Sequence, residues 1–124
     1  MPRKDHEAPR ATSEWGWRYH HLGVPTTIPR PGEQYIEACK MFVSGFESSP
    51  YGIEWMRFDP DSRISALVKT VPHLAFEVDD LEAALTGKHV LTPPNSPSPR
   101  VMVAMIVDKG CPVELLEFSK TRRR

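Results

Sequence analysis

Alternating apolar and polar positions divide this chain into short strand-like segments separated by turns. Arg18 to Val24 reads as the first strand, and Pro25, Pro29, Pro31 and Gly32 then enforce an extended loop. Glu33 to Met41 carries two patterns. Tyr35, Ile36, Cys39 and Phe42 suit a helix face, whereas Cys39, Met41 and Val43 alternate like a strand. The expectation is a short, degenerate helix running into a strand by Met41. Lys40–Glu47 and Gly52–Phe58 form a hairpin around Ser48-Ser49-Pro50-Tyr51-Gly52. Asp59-Pro60 reads as a cap followed by proline at the first helical position, with Ile64, Leu67 and Val68 as the apolar stripe.

Pro72 ends that helix, and His73 to Val78 is the next strand. Asp79 with Glu82 resembles a capping box, Leu81, Ala84 and Leu85 form a buried stripe, and Gly87 is the stop. His89 to Thr92 reads as a short strand, and Pro93 to Pro99 as a loop, since prolines cannot occupy a central strand. Val101 to Val107 is apolar on both faces and so buried. Asp108-Lys109-Gly110 turns the chain into a last strand, Pro112 to Phe118.

Two of these segments occur twice. His21-Leu22-Gly23-Val24 is echoed by His73-Leu74-Ala75-Phe76, and Ile53-Glu54-Trp55-Met56-Arg57-Phe58 by Val113-Glu114-Leu115-Leu116-Glu117-Phe118. A weak internal duplication constrains the fold. Strand parity puts Glu54 on one face with Met56 and Phe58, and Glu114 on one face with Leu116 and Phe118. Each carboxylate thus sits on an otherwise apolar face, where it needs a partner or a metal. His21 and His73 each have a small neighbour two residues on, Gly23 or Ala75. Leu22, Val24, Leu74, Phe76 and Val78 form the opposite, helix-covered side.

The second half reads strand, helix, strand, strand, strand, and the first half is a worn version of that order. The expected class is α+β: two βαβββ modules forming a curved mixed sheet, a cup with helices outside and the His/Glu faces inside. Module 1 spans about 18–59, a linker helix 60–71, and module 2 72–118, together a domain over 15–118. Residues 1–14 read as a disordered polar tail that Trp15 and Trp17 anchor, and 119–124 as a basic tail solvated at the terminus.

The chain has 124 residues, zero formal net charge and 40% hydrophobic residues, which suits one compact domain. Charge balance gives no reason to expect nucleic acid or an anionic membrane as partner. No apolar run approaches the ~20 residues of a membrane span, and the N-terminus has no signal-peptide core. Cys39 and Cys111 make no disulfide framework; both read as small core residues in a reducing cytoplasm.

With these residues in place, the chain resembles the glyoxalase/bleomycin-resistance superfamily, the vicinal oxygen chelate proteins, over about residues 18 to 118. The segment from Pro72 to Ala84, PHLAFEVDDLEAA, is similar to the strand–helix junction that opens the family's second module. Val113 to Phe118 is similar to its final strand. The resemblance implies that His21, Glu54, His73 and Glu114 are metal ligands. Three features depart from it: the ill-defined first helix, Arg57 at a more apolar position, and the Pro25–Gly32 loop.

Two imidazoles and two carboxylates suit Zn, Ni, Mn, Co or Fe(II). In an octahedral site they leave two positions for water or substrate oxygens, and the resemblance implies that vicinal oxygens of a substrate bind there. The resemblance then implies a lyase or isomerase of the glyoxalase I or epimerase type. Its metal stabilises a developing enediolate on a small α-hydroxy carbonyl or thioester, and a loosened Glu54 or Glu114 acts as base. Taken singly, each residue reads rather as a core histidine or a paired glutamate; the set of four, in matching parity and in the order of the family it resembles, points to metal. Glu77 shares parity with His73 and reads as a rim residue, with holding a ligand's other ring nitrogen as the alternative, and Glu117 reads as surface. His6, His20 and His89 carry no partner pattern.

A non-catalytic drug-binding or sequestration protein of the bleomycin-resistance type is the alternative on the same fold. An oxygenase with two histidines and one glutamate fits less well, since Glu54 supplies a fourth group. Open sheet edges suggest a homodimer, and a stiff 59–72 link suggests sites assembled across two chains.

Overall fold

The computed structural model describes residues 5–119; the basic stretch Lys120–Arg124 and residues 1–4 lie outside the described residues. Strands β1 (Arg18–Pro25), β2 (Gln34–Ile36), β3 (Met41–Ser44) and β4 (Ile53–Phe58) form the first half. Strands β5 (His73–Glu77), β6 (Val90–Asn95), β7 (Val101–Asp108) and β8 (Cys111–Phe118) form the second. Helices are short: α1 (Arg10–Ser13), α2 (Ala66–Thr70) and α3 (Leu81–Leu85). All eight strands join one mixed sheet in the order β2-β3-β4-β1-β5-β8-β7-β6.

That order reads the same from both ends. β1 pairs parallel with β4, as β5 does with β8, and antiparallel strands continue outward on each side. The halves meet at the antiparallel pair β1–β5. The duplication seen in the sequence is thus a pseudo-two-fold in the sheet, and the halves join within one chain. An exchange of halves is not required: residues 59–72 turn back through α2 and return the chain beside β1.

The outer face of the second half is covered over Phe76 and Val78, whereas Leu74, expected on the covered side, is exposed. Trp17, Val78, Leu81, Ala104, Ile106 and Leu115 form one buried cluster beneath α3, with Phe76 and Ala11 packed against it. The inner face carries a smaller cluster of Ala75, Val103 and Leu116. β7 is buried along its middle, as its two apolar faces require.

Several expectations are corrected. The helix expected before Met41 is absent; those residues form β2, a turn, and then β3. The proline-rich loop takes the helix's place outside the first half. Its Glu33 accepts two hydrogen bonds from Arg57 at 2.8 and 2.7 Å, and Arg30 lies 4.5 Å from the Trp55 ring. Arg57, anomalous in sequence, is held by this loop and lies over Phe42 at 4.2 Å.

The cap of α2 is Ser65, which accepts from Leu67 N at 3.1 Å, whereas Asp59-Pro60 forms a turn. The cap of α3 is Asp80, accepting from Ala83 N at 3.1 Å; Asp79 pairs with Arg18 instead. Pro93 and Pro94 belong to β6, at the edge of the sheet, where a missing N–H interrupts no central ladder. A short helix, α1, lies in the stretch expected to be disordered, and Trp17 is buried beneath it while Trp15 packs on Trp17 at 5.0 Å. Cys39 is half-buried and Cys111 exposed, so neither is a core residue. Among the described residues no helix is long and apolar enough to cross a membrane.

Candidate metal centre

The inner face of the sheet lines a cavity of about 430 Å³. Parity delivers its floor: Glu54, Met56 and Phe58 from β4, and Glu114, Leu116 and Phe118 from β8, all face it. Val68 and Ile64 also line it, so α2 and the turn before it close the cup from inside, whereas α3 lies outside. The 92–98 stretch supplies a further wall through Thr92, Asn95, Pro97 and Ser98.

Register explains how four distant residues converge. Gly23 lies across from Glu54 on one side and His73 on the other. Ala75 lies in the same way between His21 and Glu114. The small residue of one half therefore seats the histidine of the other. A Cβ at Gly23 would stand 2.7 Å from Nε2 and 2.8 Å from Nδ1 of His73, so only glycine admits this ring.

Glu114 Oε1 lies 3.1 Å from His73 Nε2 and 3.2 Å from His21 Nε2. Glu54 Oε1 lies 3.4 Å from His21 Nε2. Ligand atoms of His21, His73 and Glu114 all fall within 4.8 Å of one another, so these three could hold a metal ion. Glu54 borders that group through His21 without belonging to it. Both histidines are buried, and His73 Nδ1 is buried without a hydrogen-bond partner.

Burial alone would raise the Glu114 carboxyl, but its hydrogen bonds with His21 and His73 and their charges hold it at about 2. Burial pulls His21 down, and Glu114 and then Glu54 outweigh it, leaving the imidazole above its ordinary value. Burial dominates at Glu54 and raises its carboxyl. The buried Glu114 carboxylate thus has both imidazoles as its polar partners.

Glu77 lies 3.3 Å from Arg18, in keeping with a rim position. Glu117 lies on the outer face as parity requires, yet it accepts from Leu81 N at 2.8 Å and so ties β8 to the start of α3. His6 is exposed beside Glu7.

The residue that sequence reasoning missed is His20. Alternation puts neighbours on opposite faces, but pairing with β5 slips between Tyr19 and His21, leaving His20 as an extra residue in a β-bulge. The bulge turns both imidazoles to the cavity, with His20 Nδ1 2.8 Å from His21 Nδ1. The adjacent His-His pair was the signal in sequence; nothing there marks the bulge.

No family model matches the chain, and no curated protein sequence matches it. Solved structures do. A hypothetical protein, BH1468, from Bacillus halodurans C-125 superposes with a TM-score of 0.63 at 14% identity, covering 87% of this chain and 99% of that one. Methylmalonyl-CoA epimerase from Mycobacterium tuberculosis superposes with a TM-score of 0.53 at 20% identity, covering 82% of this chain and 88% of that one. With its paired halves in one curled mixed sheet and these structural likenesses, the chain has the fold of the glyoxalase/bleomycin-resistance, or vicinal oxygen chelate, superfamily.

Proposed function

We propose that this chain is a divalent-metal-dependent lyase or isomerase that moves a proton next to a carbonyl of a small α-hydroxy carbonyl or thioester substrate. The observation that carries this reading is the convergence of His21, His73 and Glu114 at the floor of an apolar cavity, with Glu54 beside them. Imidazole and carboxylate donors fit Zn, Ni, Mn, Co or Fe(II). His21, His73 and Glu114 would hold the ion, and Glu54 would complete the set. A bound ion would supply Lewis-acid stabilisation of negative charge developing on substrate oxygen.

The two glutamates divide the remaining work. Glu114 is gripped by both imidazoles, which suits a fixed ligand. Among the described residues the ion pair of Glu54 is with His21, at 3.4 Å, a looser hold that leaves its carboxylate freer to swing and take the proton from the substrate carbon. Met56, Phe58 and Leu116 exclude water around that carbon. A structure of similar fold is, by its name, an epimerase of methylmalonyl-CoA. No Lys or Arg lines the cavity among the described residues, which favours a substrate whose buried part is uncharged.

Solvent deuterium exchange tests the reaction class. Metal-loaded protein should exchange the C–H next to the carbonyl in at least one of a set of small α-hydroxy ketones and thioesters, and Glu54→Gln should lose this exchange. The same apolar lining supports a second reading, a cup that sequesters a small apolar molecule without turnover. Binding of such probes with no exchange in any metal form would favour it. In either case a cytoplasmic homodimer is the setting we infer. Its edges are blunted, by three-residue β2 and proline-bearing β6, so a dimer would bury faces rather than add strands.

A further inference from the structure

We propose that His20 is a positioning residue for His21: its Nδ1 accepts the Nδ1–H of His21 and so leaves His21 Nε2 free to hold a metal. The inference rests on the metal reading above and adds a residue to it. A neutral imidazole has one donor and one acceptor nitrogen. At 2.8 Å, His20 Nδ1 and His21 Nδ1 share one proton, which belongs to one ring or the other. His21 Nε2 faces Glu114 at 3.2 Å and Glu54 at 3.4 Å, so it is the nitrogen aimed at the candidate centre. A ligating Nε2 must be unprotonated, which puts the His21 proton on Nδ1 and makes His20 the acceptor.

Metal-binding histidines commonly give their second N–H to a carboxylate, a backbone carbonyl or water, and this fixes the ring. Here an imidazole does so, and it is itself held in place. His20 stacks on Phe46 with centroids 5.0 Å apart and planes 14° from parallel, and Phe118 lies 5.5 Å away. The bulge is what makes the arrangement possible, since regular pleating would send His20 to the outer face. His73 has no equivalent at Nδ1, which is buried and unpartnered, and its ring packs against Gly23. The two halves thus treat the Nδ1 of their histidines differently, one meeting a hydrogen-bond partner and the other packing without one.

Zn²⁺ titration by calorimetry of the wild-type chain, His20→Phe and His20→Asn separates the possibilities. Phenylalanine keeps the stacked ring and removes the acceptor; asparagine removes the ring and offers Oδ1 near the place of Nδ1. His20→Phe should bind Zn²⁺ about 10–100-fold more weakly, while His20→Asn stays near wild type. Equal affinity in His20→Phe, or equal loss in both variants, overturns the role. A wild-type chain that binds no Zn²⁺ overturns the metal reading itself, and this inference with it. Nitrogen-15 spectra of the Zn²⁺-loaded wild-type chain give a readout that needs no variant to fold. His21 should carry its proton on Nδ1, bonded towards His20, and a His21 proton on Nε2 contradicts the proposal.

Discussion

Gly23 on β1 lies directly across the sheet from His73 on β5, and the His73 ring fills the space that a side chain at Gly23 would need. This contact joins the two halves at the point where the candidate metal centre sits. Gly23→Ala should therefore destabilise the fold by about 1–3 kcal/mol, as overpacking in a close-packed interior does. It should also displace His73 and weaken metal binding. Urea denaturation and Zn²⁺ titration check the two effects; a variant of wild-type stability and affinity would show that the ring has another place to go.

Parity separates the glutamates of the last strand. Glu114→Gln should abolish or greatly weaken metal binding, because Glu114 contacts both histidines. Glu117→Ala should leave metal affinity unchanged and cost about 1–3 kcal/mol of stability, the worth of a charge-assisted hydrogen bond whose loss strands Leu81 N. Equal loss of metal from both variants would mean that β8 is in the other register.

Caps give a test of the corrected helix starts. Ser65→Ala and Asp80→Ala each remove a side-chain acceptor from a helix N-terminus and should cost about 1 kcal/mol. Asp79→Ala should cost less than Asp80→Ala, since Asp79 is exposed and pairs with Arg18 at the surface. Denaturant midpoints compare the three, and a larger loss at Asp79 would restore the start one residue earlier.

The loop that covers the first half predicts a pH dependence. Arg57 holds the Glu33 carboxyl below its ordinary value of 4.5. A carboxyl depressed in the folded state stabilises the fold at pH above its unfolded value, and that stabilisation fades as pH falls through the folded value. Wild-type protein should thus be more stable than Glu33→Gln at neutral pH, with the gap closing in acid below about 4.5. Unfolding free energies measured across pH 3 to 7 test this, and a gap independent of pH would detach the pair from stability.

Much of the fold was legible because burial enforces periodicity. The faces of β4 and β8 followed from alternation alone, and with them the cavity positions of Glu54, Met56, Glu114 and Leu116. What alternation could not supply is any place where the chain breaks its own period. The bulge at His20 is one such place, since an extra residue in a strand leaves no mark on composition. Residues 33–41 are another. Tyr35 and Phe42 matched a helix face, yet they pack together at 4.8 Å across the antiparallel β2–β3 pair. Helix caps slipped to Ser65 and Asp80 because Asp59-Pro60 and Asp79 carry equally good local signals. Tertiary partners chose between them: Arg18 engages Asp79, and the turn at Asp59 accepts from Ser62 N.

Elemental analysis of untagged protein, with reconstitution by Zn, Mn, Ni and Fe(II), tests the central claim most directly. The convergence of His21, His73 and Glu114 with Glu54 alongside predicts about one divalent ion per chain. The ion should be lost when His73 is changed to Ala together with Glu114 to Gln. Protein that binds none of these metals, while folded and with its cavity able to take up small apolar probes, would contradict the account.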